Sequence, residues 1–126
     1  IAKSAERLAD RSRTPVPERL RDLADDARRQ LRLALDAFSD RDSGKAAEVL
    51  AEEERVDADQ DQVIREALEE IATHPELSSQ EVDFILVAKH LERVGDHATN
   101  IAEDVILAAT AKNVKHADKL AEARRR

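Results

Sequence analysis

The sequence predicts an all-α protein, folded as an antiparallel three-helix bundle with a short helix in front of it. The 126 residues include only two Gly and three Pro, while Ala, Leu, Glu and Arg, which favour helices, are abundant. Turn-forming stretches are few and far apart, and between them apolar residues recur every three or four positions. A chain of this length suits one domain that buries a core.

Three turn signals divide the chain into four helical segments. They are Thr14-Pro15-Val16-Pro17, the stretch from Asp40 to Gly44, and Thr73-His74-Pro75. The predicted segments are a short opening helix over about residues 1–12 and three long helices over about 17–40, 44–73 and 79–112. Because the connections are short, neighbouring helices should run antiparallel. After residue 112 the charges alternate without an apolar stripe, which leaves both a helix and a frayed tail open.

The first and last long helices each carry an apolar stripe with alternating spacings of three and four. In the first helix the stripe comprises Leu20, Ala24, Ala27, Leu31, Ala34 and Phe38. In the last helix it comprises Phe84, Val87, Leu91, Val94, Ala98, Ile101, Val105 and Ala108. Such stripes are typical of helices that pack in a bundle, so these residues form the expected core.

Composition excludes several classes of function. The absence of Cys excludes a disulfide scaffold, a thiolate metal site and a Cys nucleophile. No apolar run approaches the roughly 18 residues of a membrane span and no signal peptide is present, so we expect a soluble, cytoplasmic protein. The net charge of −7 argues against nucleic-acid binding. The Glu-x-x-His pairs of ferritin-like di-iron proteins, Ser/His/Asp triads and phosphate-binding loops are missing, so we predict no enzyme.

Negative charge is concentrated in the predicted middle helix, where residues 43–77 carry three basic and eleven acidic groups. One stripe of this helix comprises Val49, Glu53, Val56, Gln60, Val63 and Ala67. The stripe beside it comprises Leu50, Glu54, Asp57, Asp61, Ile64, Leu68 and Ile71. Glu54, Asp57 and Asp61 share one helical face because they are spaced by three and four. Carboxylates on an apolar seam must protonate or find a cation, unless this segment turns towards solvent.

The last helix carries a second oxygen-rich stripe beside its apolar one. This stripe comprises Glu92, Asp96, Thr99 and Glu103, with Asn100 one position off. Asp61 lies about 14 residues before Pro75 and Glu92 about 17 residues after it, so the two acidic patches should sit at similar heights. Facing oxygen ligands without Cys suit Mg, Mn or Fe, and zinc is less usual.

The segment from Val87 to Glu103 resembles the signature of the PhoU family of phosphate-transport regulators. Members of that family are tandem three-helix bundles in which the pattern Glu(Asp)-x-x-x-Asp on paired helices binds multinuclear metal clusters. Glu92-x-x-x-Asp96 matches the pattern, and the segment Glu53 to Asp57 resembles the partner motif. The resemblance implies Asp57, Glu92 and Asp96 as ligands of a metal cluster, with four supporting candidates. These are Glu54, Asp61, Asn100 and Glu103.

The resemblance also implies how the chain is organised. Ile1-Ala2-Lys3 resembles Ile101-Ala102-Glu103, so residues 1–14 are expected to be the tail of a preceding helical repeat. Residues 15–112 would be one PhoU-like bundle, and residues 113–126 a charged C-terminal tail. The chain opens with Ile rather than Met, and we expect it not to be a complete translation product. Apolar surface exposed by loss of a first bundle would favour a homo-oligomer such as a dimer.

By resemblance, the protein is a negative regulator of phosphate uptake and of phosphate-starvation signalling. The family acts through contact with the phosphate ABC transporter and a sensor histidine kinase, which implies a peripheral link to the membrane through these partners. The implied cluster metal is iron foremost, with zinc, manganese or magnesium as other candidates. Two alternatives stay open: a metal-free structural bundle that binds partners through solvated acidic faces, and a PhoU-like domain of a phosphate transporter.

Overall fold

The computed structural model describes residues 1–11 and 15–125, and within them the protein is a bundle of α-helices without strands. A 3-10 turn, Pro75–Leu77, leads into the last of five helices. The helices are α1 (Ala2–Arg11), α2 (Glu18–Asp40), α3 (Ser43–Ala51), α4 (Glu53–Thr73) and α5 (Ser78–Arg125). The predicted all-α class is confirmed. Thr14 of the first turn signal and the terminal Arg126 lie outside the described residues.

The longest helix, α5, organises the packing. It has 48 residues, which corresponds to roughly 72 Å at 1.5 Å per residue. It packs against each of the other four helices, and α2 also packs against α3 and α4. Residues 110–125 continue as helix to Arg125, and every one of them is exposed. Of the described helices, none is both long and apolar enough to cross a membrane.

The segment that was predicted as a single middle helix is two helices, α3 and α4, which meet at Glu52. Asp42 caps α3, because its carboxylate accepts hydrogen bonds from the backbone N–H groups of Gly44 at 2.9 Å and Lys45 at 3.2 Å. At the junction, Arg29 of α2 donates a hydrogen bond of 2.8 Å to the Glu52 carboxylate. This ion pair ties the break between the two helices to α2.

The buried stripes lie one position away from several of the predicted ones. In α2 the buried stripe comprises Leu20, Leu23, Ala27, Gln30, Ala34 and Ala37. Phe38, a predicted core residue, is 65% exposed, and the predicted Ala108 of α5 is also exposed. In α5 the small residues Ala88, Gly95 and Ala102 are buried, while Val87, Val94 and Ile101 are only partly buried. Small residues at the centre let the helices approach closely, and the larger side chains then cover the flanks.

The apolar core consists of two separate clusters. The first comprises Leu20, Leu23, Ala27, Val56, Val63, Phe84, Ala88 and Leu91. The second comprises Ala34, Ala37, Ala46, Val49, Ala98, Ala102 and Val105. At the level between them, α2 places Gln30, α4 places Glu53 and α5 places Gly95, and all three residues line one cavity. The core is therefore interrupted at one height on all three sides.

Candidate functional site

The cavity at this interruption is small, and most of the residues that line it are polar. Its volume is about 10 Å³, which is the scale of a single water molecule. It is lined by Leu23, Gln30, Glu53, Val56, Asp57, Gln60, Glu92, Gly95, Asp96 and Thr99. Asp57 and Asp96 are exposed, Glu53 and Glu92 are half-buried, and the two glutamines, Gly95 and Thr99 are buried. The site thus has a carboxylate rim at the surface and a neutral polar floor inside the bundle.

Two helices supply the rim with the same spacing. Glu53 and Asp57 lie one turn apart on α4, and Glu92 and Asp96 lie one turn apart on α5. Residues four apart share a helical face, so each helix presents a pair of carboxylates. The two pairs come together at the height of the core interruption.

Two of the rim carboxylates, those of Glu53 and Asp57, have pKa values raised above the ordinary range. Burial raises the pKa of Glu53 above its ordinary value, and the carboxylates of Asp57 and Asp96 raise it further. Partial burial at the rim likewise raises the pKa of Asp57, and the carboxylates of Asp96 and Glu92 add to the rise. A bound cation would relieve this repulsion.

Neighbouring side chains hold part of the rim in place. The buried Gln60 amide donates a hydrogen bond of 2.8 Å from Nε2 to Oε2 of Glu92. The ammonium group of Lys89 lies 3.9 Å from the same oxygen. On the next turn, the Thr99 hydroxyl donates a 2.9 Å hydrogen bond to the backbone carbonyl of Asp96. The side-chain amide of Gln60 therefore restrains the Glu92 carboxylate in a partly buried position.

Gln30 brings α2 to the site. Its side chain is 1% exposed, and its Nε2 makes only a long contact of 3.5 Å with the backbone carbonyl of Val49. Its Oε1 is buried and accepts no hydrogen bond from any described residue. Opposite it, a Cβ atom added at Gly95 would lie 3.3 Å from this oxygen. The missing side chain of Gly95 thus leaves space beside the amide oxygen.

The structure brings only some of the sequence-predicted residues together. Asp57, Glu92 and Asp96 line the same cavity. Asp61 and Glu103 do not line it, although Asp61 lies near enough to raise the pKa of Asp57 and Glu103 near enough to raise that of Glu53.

Two other candidates lie outside the cavity. Glu54 and Asn100 are exposed and do not line it. On α4 the neighbouring Glu53, which the sequence places on the other stripe, lines the cavity instead of Glu54.

Sequence reasoning gave no role to the two glutamines of the floor. Gln60 was visible as a polar residue within a largely apolar stripe. Gln30 lies three residues after Ala27 and four before Ala34, so a polar side chain at core spacing was the signal that could have found it. His90 and His97 flank the acidic motif in sequence, but both are exposed and neither lines the cavity.

The donor set suits a hard divalent cation. Carboxylate and amide oxygens are the ligands that Mg²⁺, Mn²⁺ and Ca²⁺ take in proteins, and a buried amide oxygen without a partner adds a donor. Among the residues that the structure describes, no three acidic or His side chains are grouped so that they could hold one metal ion. Coordination would therefore require the exposed carboxylates of Asp57 and Asp96 to rotate, which surface side chains do readily.

Comparison with known proteins points to a single family. The model of the PhoU domain matches residues 20–105, which include the whole cavity. The chain is similar to proteins named phosphate-specific transport system accessory protein PhoU homolog. It is 29% identical to the one from Clostridium acetobutylicum over 90% of this chain and 52% of the relative. It is 32% identical to the one from Pseudomonas putida over 92% of this chain and 46% of the relative.

A further relative of the same name, from Rhizobium meliloti, is 36% identical over 72% of this chain and 38% of its own length. The chain therefore spans about half, or less, of the length of these curated relatives. No solved structure matches the chain at a significant level.

Proposed function

The chain belongs to the PhoU domain family, and we propose that it acts within an accessory protein of a phosphate transport system. The observation that carries this proposal is the match over residues 20–105, together with relatives that bear that name. The role we propose is non-catalytic. It consists of negative regulation of phosphate uptake and phosphate-starvation signalling through contact with the phosphate ABC transporter and a sensor histidine kinase. Contact with the inner faces of such partners would place the protein in the cytoplasm.

The acidic rim supports a second part of the proposal, which is that the site binds a metal cluster or a single divalent cation. Four carboxylates converge from α4 and α5 on one cavity, and burial together with neighbouring carboxylates raises the pKa of Glu53 and of Asp57. A cation would neutralise them and hold α4 and α5 in register. Asp57, Glu92 and Asp96 would hold it, with Glu53 beside them, and Asp61 and Glu103 are near enough to contribute charge.

Metal content tests this part directly. The protein is purified without an affinity-metal step and analysed by inductively coupled plasma mass spectrometry for iron, manganese, zinc and magnesium. The variant is Glu92→Ala/Asp96→Ala. The control is Asp118→Ala/Glu122→Ala, which removes two carboxylates at the same spacing from the exposed end of the same helix. We expect metal in the wild type and the control, and its loss in the rim variant.

Two outcomes would overturn the metal proposal. One is a folded wild-type protein without metal, which would favour the alternative of an interaction bundle with solvated acidic faces. The other is equal metal content in all three proteins, which would place the metal elsewhere. In the first case, partner binding through the acidic rim should weaken steeply with ionic strength.

The regulatory role is tested in cells. The complete protein that contains this chain is expressed in a bacterium that lacks its own PhoU homolog and carries a phosphate-starvation reporter. We expect it to lower reporter expression in phosphate-rich medium, and the rim variant to do so less well. A reporter that stays fully induced with the wild-type protein would contradict the regulatory proposal. Homo-oligomerisation stays a prediction, which light scattering tests.

A further inference from the structure

Gln30 occupies a position that a bundle ordinarily fills with an apolar side chain. It follows Ala27 and precedes Ala34 along the buried stripe of α2, and it is 1% exposed. Its amide oxygen accepts no hydrogen bond from any described residue. A buried acceptor without a partner lowers stability, because it loses its hydrogen bond to water on folding. The position therefore calls for an explanation other than packing.

Gln60 shows what a satisfied amide looks like in the same cavity. It is buried to a similar degree, and its Nε2 donates a 2.8 Å hydrogen bond to Glu92. An amide that donates to a carboxylate positions that carboxylate. Gln30 differs because the atom without a partner is its acceptor oxygen, which a cation or a cation-bound water can satisfy and a carboxylate cannot.

Gly95 keeps space at this oxygen. A glycine inside a helix lowers helix stability relative to alanine. Here an added Cβ would lie 3.3 Å from Oε1 of Gln30, which is a tight contact. Gly95 also lies between Glu92 and Asp96, so the open side of α5 faces α2 between the two acidic residues of the motif. Together, an unsatisfied oxygen and an adjoining gap lie directly beneath the carboxylate rim.

We propose that Gln30 is a neutral oxygen ligand of the cation site, supplied by α2 from the floor of the cavity. This inference rests on the proposed cation binding and extends it in two ways. A ligand from α2 would link a third helix to the pair that carries the carboxylates. An amide oxygen also favours Mg²⁺ and Mn²⁺, which take oxygen ligands, over Zn²⁺, which prefers nitrogen and sulfur.

The test measures the binding of Mn²⁺ to metal-free protein by isothermal titration calorimetry, and the melting temperature in EDTA. Gln30→Leu removes the oxygen and keeps the approximate volume, and Gln30→Glu restores an oxygen donor. Gln62→Leu is the control, because Gln62 lies on α4, bonds to Glu66 at 3.3 Å and does not line the cavity. Gly95→Ala tests the same oxygen without removing it, because the added methyl group narrows the space beside Oε1 of Gln30 and changes no proposed ligand.

We expect Gln30→Leu to weaken Mn²⁺ binding at least tenfold and to raise the melting temperature in EDTA. Gln30→Glu and Gln62→Leu should keep the wild-type affinity within about threefold, and Gly95→Ala should weaken binding. If Gln30→Leu and Gly95→Ala both bind Mn²⁺ as the wild type does, Gln30 is not a ligand, although the carboxylate site stands. If the wild type binds no Mn²⁺, Mg²⁺, Fe²⁺ or Zn²⁺, the proposed cation site itself fails. If Gln30→Leu does not fold, the Mn²⁺ affinity of Gly95→Ala relative to the wild type decides whether Gln30 is a ligand.

Discussion

Neutralising Asp57 should change stability in opposite directions with and without metal. Partial burial raises the pKa of Asp57, and the neighbouring carboxylates of Asp96, Glu92 and Asp61 add to the rise. Partly solvated charge pairs interact by about 0.2–1 kcal/mol, so three repulsive pairs lower stability by about 1 kcal/mol in dilute buffer. We expect Asp57→Asn to recover about that amount in EDTA, which is a rise of roughly 4 °C in Tm for a domain of this size.

With metal present, the same substitution should be destabilising relative to the wild type. A cation at 100 times its Kd stabilises a folded protein by about 2.7 kcal/mol. Asp57→Asn removes one charged ligand, so most of this stabilisation should be lost. The measurement is thermal unfolding followed by circular dichroism in EDTA and in Mn²⁺. The stability that Asp57→Asn gains in EDTA should shrink in 1 M salt, because a Debye length of about 3 Å screens the repulsion between the carboxylates.

Glu54→Gln is the matched control for this experiment. Glu54 was a sequence-predicted ligand, but it is exposed and does not line the cavity. It lies in the first turn of α4, where a negative charge is favourable, so its neutralisation should lower Tm slightly in both conditions. Equal effects of Asp57→Asn and Glu54→Gln, or a loss of stability for Asp57→Asn in EDTA, would refute the assignment of Asp57 to a repulsive rim.

Four further substitutions test the fold and its electrostatics. Phe84→Ala should lower the free energy of unfolding by about 3–5 kcal/mol because Phe84 is 1% exposed, whereas Phe38→Ala, at 65% exposure, should change it by no more than about 0.5 kcal/mol in urea titrations. Arg41→Gly should raise stability by about 0.5–1 kcal/mol, because Arg41 directly follows α2 with φ of 52°, a left-handed conformation that glycine adopts without strain. An unchanged or lower Tm would contradict this expectation. Burial raises the pKa of Glu81, and the carboxylate of Glu70 adds to the rise, so the folded state binds this proton more tightly than the unfolded state. The ionised side chain therefore lowers stability once the pH rises above the ordinary value of 4.5, and Glu81→Gln should raise Tm at pH 7 with a gain that disappears below pH 4.5.

The sequence predicted the helices more reliably than the faces that they bury. Apolar residues at spacings of three and four define a stripe, but two neighbouring stripes one residue apart fit such spacing almost equally well. Phe38 and Ala37 illustrate this: hydrophobicity favoured the phenylalanine, whereas tight helix packing selected the alanine, which is fully buried. The break at Glu52 has no Gly or Pro to announce it. Arg29 of another helix contacts Glu52 at this break, and a local sequence pattern cannot report such a contact.

The same one-residue uncertainty about which stripe is buried affected the prediction of the site residues. The periodicity of α4 placed Glu54 with Asp57, whereas the structure places Glu53 there, because Glu53 follows the buried stripe through Val49 and Val56. Asp57, Glu92 and Asp96 could be chosen from spacing and resemblance, since pairs four apart share a face in any helix. Gln30 could not be assigned this way. Its importance comes from an unpaired oxygen and from a glycine 65 positions along the chain, which only packing brings together.

The interruption of the core supports the proposed binding site over a surface that is merely acidic. Solvated carboxylates on α4 and α5 would need no change in the interior, and a continuous apolar core could run beneath them. Instead, the two apolar clusters are separated at the height of the rim by Gln30, Glu53 and Gly95, each contributed by a different helix. Each of these residues lowers bundle stability relative to an apolar residue or alanine, through an unpaired acceptor, a desolvated carboxylate or a flexible backbone. Close helix packing accounts for Gly95 alone, whereas a ligand that reaches from the rim into the floor would account for all three residues together. The double variant Gln30→Leu/Gly95→Ala should therefore be more stable to thermal unfolding than the wild type and should have lost its affinity for cations. If the double variant is less stable than the wild type, Gln30 and Gly95 are needed for folding and not for binding a ligand.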